Sequence, residues 1–172
     1  MAANRGVIPP IPALRAAGCP IAYGTDNNTN DLFEVMRVAL LTERIRRNDE
    51  RPGLRPQPED ALEDATLGGA RAVRQEATLG ALETGKKADI LVVDTRRAHL
   101  VPAGRIVSAW IHNGQPADIE SVMIDGQFVM RDRKVLTIDE AAVIAEADAV
   151  GRRVWKQVQA AGPIDIPGRP RR

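Results

Sequence analysis

Apolar and polar positions occur in blocks that divide the 172-residue chain into helical and extended segments. The clearest helix begins after Asn30 or Asp31, because either side chain can cap its first turn. The end of this helix is polar, because it carries Glu43, Arg44, Arg46 and Arg47. The predicted buried face consists of apolar residues at helical spacing: Leu32, Val35, Met36, Ala39 and Leu40.

Two further helices and one strand are predicted before Gly80. Residues 9–18 favour a short helix, with Pro in its first turn and Gly at its exit. Ile21–Tyr23 is typical of a short buried strand, and a polar stretch follows it. After a Pro-rich link, residues 58–73 predict another helix, which Pro opens.

After Gly80 the pattern changes to short β-type runs. Strands are predicted over residues 88–94, 121–124 and 127–130, and the last two are joined by Asp125-Gly126, a strong hairpin signal. Val135-Leu136 extends this meander. The first part of the chain is therefore an α/β segment, and the second is a small β-rich module.

A long helix is predicted at the end of the chain. Thr137 and Glu140 have the spacing of a capping box, and Gly162-Pro163 stops the helix. One stripe of apolar residues follows this helix: Val143, Ala147, Val150, Val154 and Val158. The single strand near the start cannot form a sheet alone, so residues 1–50 look like the last unit of a larger α/β structure.

Composition and charge exclude several classes of function. With a net charge of +1, the chain has no long-range field to attract nucleic acid or an anionic membrane, and we expect the Arg-rich tail to be a solvated terminus. No apolar run has the roughly 18 residues that a membrane span requires. The N-terminus resembles no signal peptide, so we expect a cytoplasmic protein. The single cysteine, Cys19, excludes internal disulfides and is predicted to be a buried small hydrophobe.

Four segments, in collinear order, resemble the C-terminal part of the metal-dependent amidohydrolase superfamily. The first is Pro-Ile-Pro-Ala-Leu-Arg-Ala-Ala-Gly with Ala-Tyr-Gly-Thr-Asp-Asn, followed by Asn-Asp-Leu-Phe-Glu-Val-Met-Arg, over residues 10–37. The second, Ala-Thr-Leu-Gly-Gly-Ala-Arg-Ala over residues 65–72, is similar to the Thr-x-x-Gly-Ala-x-Ala segment of the family. Residues 79–94 resemble its Gly-Ser-Leu-Glu-x-Gly-Lys-x-Ala-Asp-Leu signature, and residues 122–129 its closing hairpin.

The resemblance implies the end of a TIM-like (β/α)8 barrel, consisting of its last strand and flanking helices. The implied organisation is a barrel end over residues 1–78, part of a β-sandwich over 79–137, and a C-terminal helix with a basic tail over 138–172. The nearest branch is that of the deaminases and chlorohydrolases. The implied function is hydrolysis of a non-peptide C–N bond or a C–Cl bond, with deamination of an N-heterocyclic small molecule by a metal-activated water.

Asp26 is the candidate catalytic residue and the candidate metal ligand. In such barrels the aspartate at the end of the eighth strand faces the metal and accepts a proton from its water, and the chemistry independently favours a carboxylate there. From the residues alone, Asp26 is equally well explained as an Asx-turn or helix-capping carboxylate. Asn27 is the candidate substrate-binding residue, in a polar loop with Asn28, Thr29 and Asn30 whose ordinary role is capping and turning.

The implied cofactor is one divalent metal, zinc, in the complete enzyme. The histidines that such a site needs are expected upstream of this chain, since His99 and His112 fall in the β-rich module and favour packing or surface roles. One carboxylate cannot hold zinc, which needs three or four ligands. We therefore expect the isolated chain to be inactive, metal-free and poorly stable without the N-terminal barrel portion. The alternative is a catalytically incomplete structural or oligomerisation module. A second copy of the chain, in a homo-oligomer, is a further candidate partner.

Overall fold

The computed structural model describes residues 8–26, 29–48, 53, 55–102 and 104–162, which fall into two compact units divided after Arg133. The first unit contains, in chain order, α1 (Ile11–Ala16), α2 (Leu32–Arg47), α3 (Pro58–Glu63), a π-helical turn (Asp64–Gly68), α4 (Gly69–Ala72), β1 (Ile90–Val93), α5 (Ile106–Asn113), a 3-10 turn (Pro116–Asp118), β2 (Ile119–Ile124) and β3 (Gln127–Arg131). The second unit contains β4 (Lys134–Val135) and α6 (Glu140–Ala160). This mixed α/β content confirms the predicted class.

The first predicted helix is confirmed as α1, and Gly18 leaves it with a φ of 75°. The strand predicted at Ile21–Tyr23 is not formed, because a strand needs a hydrogen-bonded neighbour and no described strand pairs with this segment. Residues 21–25 are not part of any helix or strand, yet their exposure alternates with a period of two: Ile21, Tyr23 and Thr25 are partly buried, and the residues between them are exposed. One side of the segment is therefore packed and the other is open.

The long helix α2 begins at the predicted cap. The Asp31 carboxylate accepts a hydrogen bond from the Phe33 N–H at 2.8 Å. The predicted buried face is correct for Met36 and Leu40 and wrong for Leu32, which is exposed while Phe33 is buried. Within the polar end of the helix, Glu43 is only 2% exposed, and its carboxylate is paired with two arginines.

The hydrophobic core of the first unit joins three helices. It consists of Phe33, Met36, Leu40, Ala61 and Ile111, which belong to α2, α3 and α5. The ring of Trp110 meets Phe33 edge-on, with centroids 5.0 Å apart. Helix α5 was not predicted, since it lies in a part of the chain where the pattern favours strands.

The sheet of the first unit is antiparallel. Strand β1 pairs with β2, and β2 pairs with β3. The predicted hairpin is confirmed: Asp125 and Gly126 join β2 to β3 with φ values of 48° and 79°. Positive φ at both turn residues gives the twist that a tight hairpin requires.

The second unit consists of β4 and the predicted C-terminal helix, α6. Its N-cap is Asp139, whose carboxylate accepts from the Ala142 N–H at 3.0 Å, so the capping box predicted at Thr137 is wrong. Aspartate one residue before the helix satisfies the orphan amide directly and displaces the more distant threonine. Gly162 follows the helix with a φ of 98°.

Two further observations concern single features of the described residues. Cys19 is exposed, which corrects the prediction of a buried thiol, because it lies in the loop that leaves α1 after Gly18. None of the described helices combines the length and the apolar character needed to cross a membrane.

Candidate functional site

Asp26 directly follows the extended residues 21–25, which are packed on one side, and it lies on the open side. It is exposed, as are Ala22 and Gly24 before it, whereas Tyr23 and Thr25 are partly buried. Its φ is 54°, a left-handed conformation that aspartate tolerates better than most residues. The backbone therefore turns at Asp26, and the carboxylate stands where an extended segment gives way to a loop.

The polar loop that follows makes local contacts. Asn27, the predicted substrate-binding residue, and Asn28 lie outside the described residues. The Thr29 hydroxyl accepts a hydrogen bond from the Asp31 N–H at 3.0 Å, and Asp31 in turn caps α2. Thr29 thus supports the turn into α2, and the substrate contact by Asn27 remains a prediction.

A cluster of charged and polar side chains lies behind the segment that carries Asp26. Arg15 of α1 donates from Nη1 to Asp64 Oδ1 at 3.2 Å, and its Nη2 also contacts Asp64. Its Nε donates to Glu43 at 3.2 Å. The Tyr23 hydroxyl donates to Asp64 Oδ2 at 2.9 Å, and Arg47 donates to Glu43 at 2.7 Å. We call these five residues the Arg15 cluster.

The surroundings shift the pKa values of two members of the Arg15 cluster. Burial, and then the negative charge of Asp64, raise the pKa of Tyr23 well above its ordinary value. The hydrogen bond to Asp64 is the main cause that raises the pKa of Arg15. The Tyr23 hydroxyl therefore keeps its proton and acts as a hydrogen-bond donor throughout the normal pH range.

The π-helical turn approaches the same segment through its backbone. A Cβ atom on Gly68 would lie 2.2 Å from the carbonyl oxygen of Ile21, so only glycine allows this approach. Asp64 begins the same turn and accepts from Tyr23. The π-helical turn thus contacts the extended segment at two places, Ile21 and Tyr23.

The two histidines lie away from Asp26 in sequence and make separate contacts. His99 Nε2 is 2.9 Å from the buried carboxylate of Asp118, which also accepts from the Gln115 N–H at 2.9 Å. Burial, and then the charges of Arg44, Arg37 and Arg105, lower the pKa of His112. These partners agree with packing roles for both histidines.

The described residues do not form a metal site by themselves. Among them, no group of three or more His, Cys, Asp and Glu side chains could hold an ion. Zinc in proteins takes three or four protein ligands, so Asp26 with its described neighbours does not by itself fit zinc. The described residues therefore hold no complete zinc site of their own.

Sequence reasoning did not identify the Arg15 cluster. Glu43 and Asp64 are acidic residues on helices, and such residues usually face solvent. Their partners lie far away in sequence: Arg15 is 28 residues from Glu43 and 49 from Asp64. The one available signal was Tyr23, a phenol in an otherwise apolar run, since a buried hydroxyl needs a partner.

Comparisons with known proteins agree with the fold and the order of the segments. A 5-methylthioadenosine/S-adenosylhomocysteine deaminase of Desulforudis audaxviator is 37% identical over 155 residues, which cover 88% of this chain and 35% of the relative. A 5'-deoxyadenosine deaminase of Methanosarcina barkeri is 32% identical over 157 residues, which cover 89% of this chain and 35% of the relative.

Solved structures give the same result. The crystal structure of an adenosine deaminase from Xanthomonas campestris with bound zinc matches with a TM-score of 0.81 and 29% identity, over 87% of this chain and 34% of that protein. A mutant of atrazine chlorohydrolase from Arthrobacter aurescens TC1, complexed with zinc and atraton, matches with a TM-score of 0.71 and 25% identity, over 81% of this chain and 31% of that protein. The chain thus spans about a third of the length of the proteins it matches. Since the model of the Amidohydrolase family matches residues 1–129, the chain belongs to the amidohydrolase family.

Proposed function

We propose that this chain is the C-terminal part of a hydrolase that deaminates an N-heterocyclic small molecule. In hydrolytic deamination, water adds to the ring carbon that bears the amino group, and ammonia leaves as the carbonyl forms. Asp26 is the group that accepts a proton from the attacking water and returns it to the leaving nitrogen. Dechlorination is the same attack on a carbon that bears chlorine, and it is the second reaction open to this site.

The position of Asp26 is the observation that carries the proposal. The carboxylate ends an extended segment whose one side packs on helices and whose other side is open. In a closed barrel, alternate residues of each strand face the interior, and catalytic groups collect at the carboxyl ends of strands. The segment has Ala22, Gly24 and Asp26 on its open side. This is the form expected of the last barrel strand when the neighbouring strands are not part of the chain.

The finer architecture follows from the same proposal. Residues 1–78 form the end of a (β/α)8 barrel, and residues 79–137 form part of a β-sandwich. Residues 138–172 form the C-terminal helix and tail. The complete enzyme carries one divalent metal, for which Asp26 is one ligand, and the remaining ligands come from other parts of the polypeptide. Zinc in two solved relatives supports the choice of metal.

The relatives also support a substrate class. Those compared above include deaminases named for 5-methylthioadenosine, S-adenosylhomocysteine, 5'-deoxyadenosine and adenosine. All of these compounds carry an adenine ring, whose amino-bearing carbon suits water addition. We therefore propose an adenine nucleoside as the substrate. We also propose that the enzyme acts in the reduced setting of the cytoplasm.

The test uses the complete polypeptide encoded by the reading frame that contains this chain. We expect it to release ammonia from at least one of these nucleosides, and Asp26→Asn to lower kcat by at least about 100-fold. Asparagine accepts the left-handed backbone at this position, so the loss reports the carboxylate. Asp132→Asn is the matched control, because Asp132 is also exposed and has a φ of 50°. Equal activity of the two variants would contradict the role of Asp26.

A non-catalytic structural module is the second candidate. The observation in its favour is that the first unit builds its own core and a balanced charge cluster from residues of this chain. A structural module predicts that Asp26→Asn changes neither the activity nor the thermal melt, whether or not zinc is present. A zinc-dependent rise in the melting temperature of the wild type, lost in Asp26→Asn, decides for the enzyme.

A further inference from the structure

The Arg15 cluster balances its charges. It contains two arginines, Arg15 and Arg47, and two carboxylates, of which Glu43 is 2% and Asp64 8% exposed. Buried carboxylates are costly unless each is paired and hydrogen-bonded, so separating the segments that carry the partners would leave a buried carboxylate unpaired. The cluster therefore fixes α1, α2 and the π-helical turn relative to one another.

Tyr23 is the only member of the cluster without a charge, and Asp64 does not need it for charge compensation. Two guanidinium nitrogens of Arg15 already contact the two oxygens of Asp64. The Tyr23 hydroxyl adds a third contact, 2.9 Å from Oδ2. This contact attaches the extended segment to the Arg15 cluster at Tyr23, three residues before Asp26.

The second tie lies two residues earlier and involves the backbone of the segment. The Ile21 carbonyl lies against the Cα of Gly68, at the other end of the π-helical turn from Asp64. Single π-helical turns occur often at functional sites, where they change the direction of a few side chains within a helix. Here the turn contacts the segment at two points, the Ile21 carbonyl and the Tyr23 hydroxyl, while Asp26 is exposed.

We propose that Asp64 and Tyr23 are positioning residues for Asp26, and that they act by holding the register of residues 21–26 against the π-helical turn. This inference rests on the proposed catalytic role of Asp26. Tyr23 meets Asp64 on the packed side of the segment, whereas Asp26 is exposed. Since Asp26 follows Tyr23 by about 10 Å of extended chain, a small rotation at Tyr23 moves the carboxylate away from its working position.

Tyr23→Phe in the complete polypeptide is the decisive variant, because it removes the hydroxyl and keeps the ring. We expect kcat to fall about tenfold and KM to stay within about twofold, since the lost contact misplaces a reacting group and leaves substrate contacts intact. We also expect the backbone amides of residues 22–26 to exchange hydrogen faster than in the wild type. This second measurement needs no activity.

Ser121→Ala is the matched control for lost stability. The Ser121 hydroxyl is buried and accepts from the Asp132 N–H at 3.4 Å, so this variant also loses one buried hydroxyl contact. We expect it to keep kcat and the exchange rates of residues 22–26. An equal fall of kcat in both variants, or an unchanged kcat in Tyr23→Phe, would overturn the proposal.

The exchange measurement separates the two proposals. A wild-type polypeptide that deaminates none of the nucleosides refutes the proposed function. In that case faster exchange in Tyr23→Phe still supports the tie to the π-helical turn, and unchanged exchange refutes it. An active wild type with an unaffected Tyr23→Phe leaves the proposed function standing and refutes only the positioning role.

Discussion

Gly68 and Gly69 are neighbours in sequence but differ in what a side chain would meet. Both have helical backbone angles, with φ near −59°. A Cβ on Gly68 would meet the Ile21 oxygen at 2.2 Å, whereas a Cβ on Gly69 would meet nothing within 4 Å. We predict that Gly68→Ala lowers the free energy of unfolding by about 1–3 kcal/mol, because backbone must move away from backbone.

Gly69→Ala is the control for this prediction. Alanine stabilises a helix relative to glycine by about 0.5–1 kcal/mol, so we expect this variant to be as stable as the wild type or more so. Urea denaturation followed by circular dichroism measures both variants. If Gly68→Ala were as stable as Gly69→Ala, the close approach to Ile21 would be wrong.

At the scale of residues, the sequence reveals local roles better than distant ones. The helix cap was predicted at Asn30 or Asp31, and the hairpin at Asp125-Gly126, because both roles depend on residues within the same turn. The burial of Glu43 does not follow from the sequence, because its partner Arg15 belongs to another helix. The apolar pattern of a helix carries no information about which distant charged residue pairs with one of its side chains.

At the scale of elements, Asp118 connects the turn before β2 to the loop after β1. Its buried carboxylate accepts from Gln115 N–H and lies 2.9 Å from His99 Nε2. Burial alone would raise the pKa of Asp118, but the contacts with His99 and Gln115 outweigh it and lower the pKa below its ordinary value of 3.8. Because the pKa is lower in the folded state, the stability it contributes is present above about pH 4 and is lost as pH falls below that value.

We therefore predict that Asp118→Asn reduces the acid sensitivity of the first unit. The fall in unfolding free energy between pH 6 and pH 3, measured by urea titration at each pH, should be smaller in the variant than in the wild type. Asp125→Asn is the control, since Asp125 is exposed and paired only at the surface with Lys87. An acid dependence of Asp118→Asn equal to that of the wild type would contradict the prediction.

Most elements were predictable, and the exception has a clear cause. Helices with a cap and a regular apolar stripe, such as α2, were found from sequence alone. Helix α5 was not, because its eight residues are short and mostly apolar. Carbonyl groups at its C-terminal end accept hydrogen bonds from a residue that is distant in sequence. Arg37 of α2 donates to Ile111 O at 3.3 Å and to Gly114 O, just after the helix, at 2.7 Å. Tertiary contacts therefore stabilise this helix, and local propensity does not reveal them.

At the scale of the molecule, the order of motifs was more informative than any one of them. Gly-Thr-Asp over residues 24–26 is weak alone, but its place before the segments at 65–72 and 79–94 identified a family that the comparisons confirm. The strand predicted at Ile21–Tyr23 is not formed, for a related reason. A strand acquires its hydrogen bonds from neighbours, so its formation depends on parts of the fold that its own sequence does not encode.

The first unit also has an open sheet edge, since β1 pairs with β2 and no described strand lies on its other side. Leu91 and Val92 of β1 are 50% and 44% exposed, and adjacent strand residues point to opposite faces. An apolar edge of this kind pairs with other chains, so we predict that the purified 172-residue chain self-associates as its concentration rises.

Val92→Lys places a charge on this edge and should shift the chain toward monomer in light scattering. Val101→Lys is the control, because Val101 is 55% exposed but lies outside the strands. If both lysines suppressed association equally, general charge repulsion would explain the effect, and the edge of β1 would not be the contact.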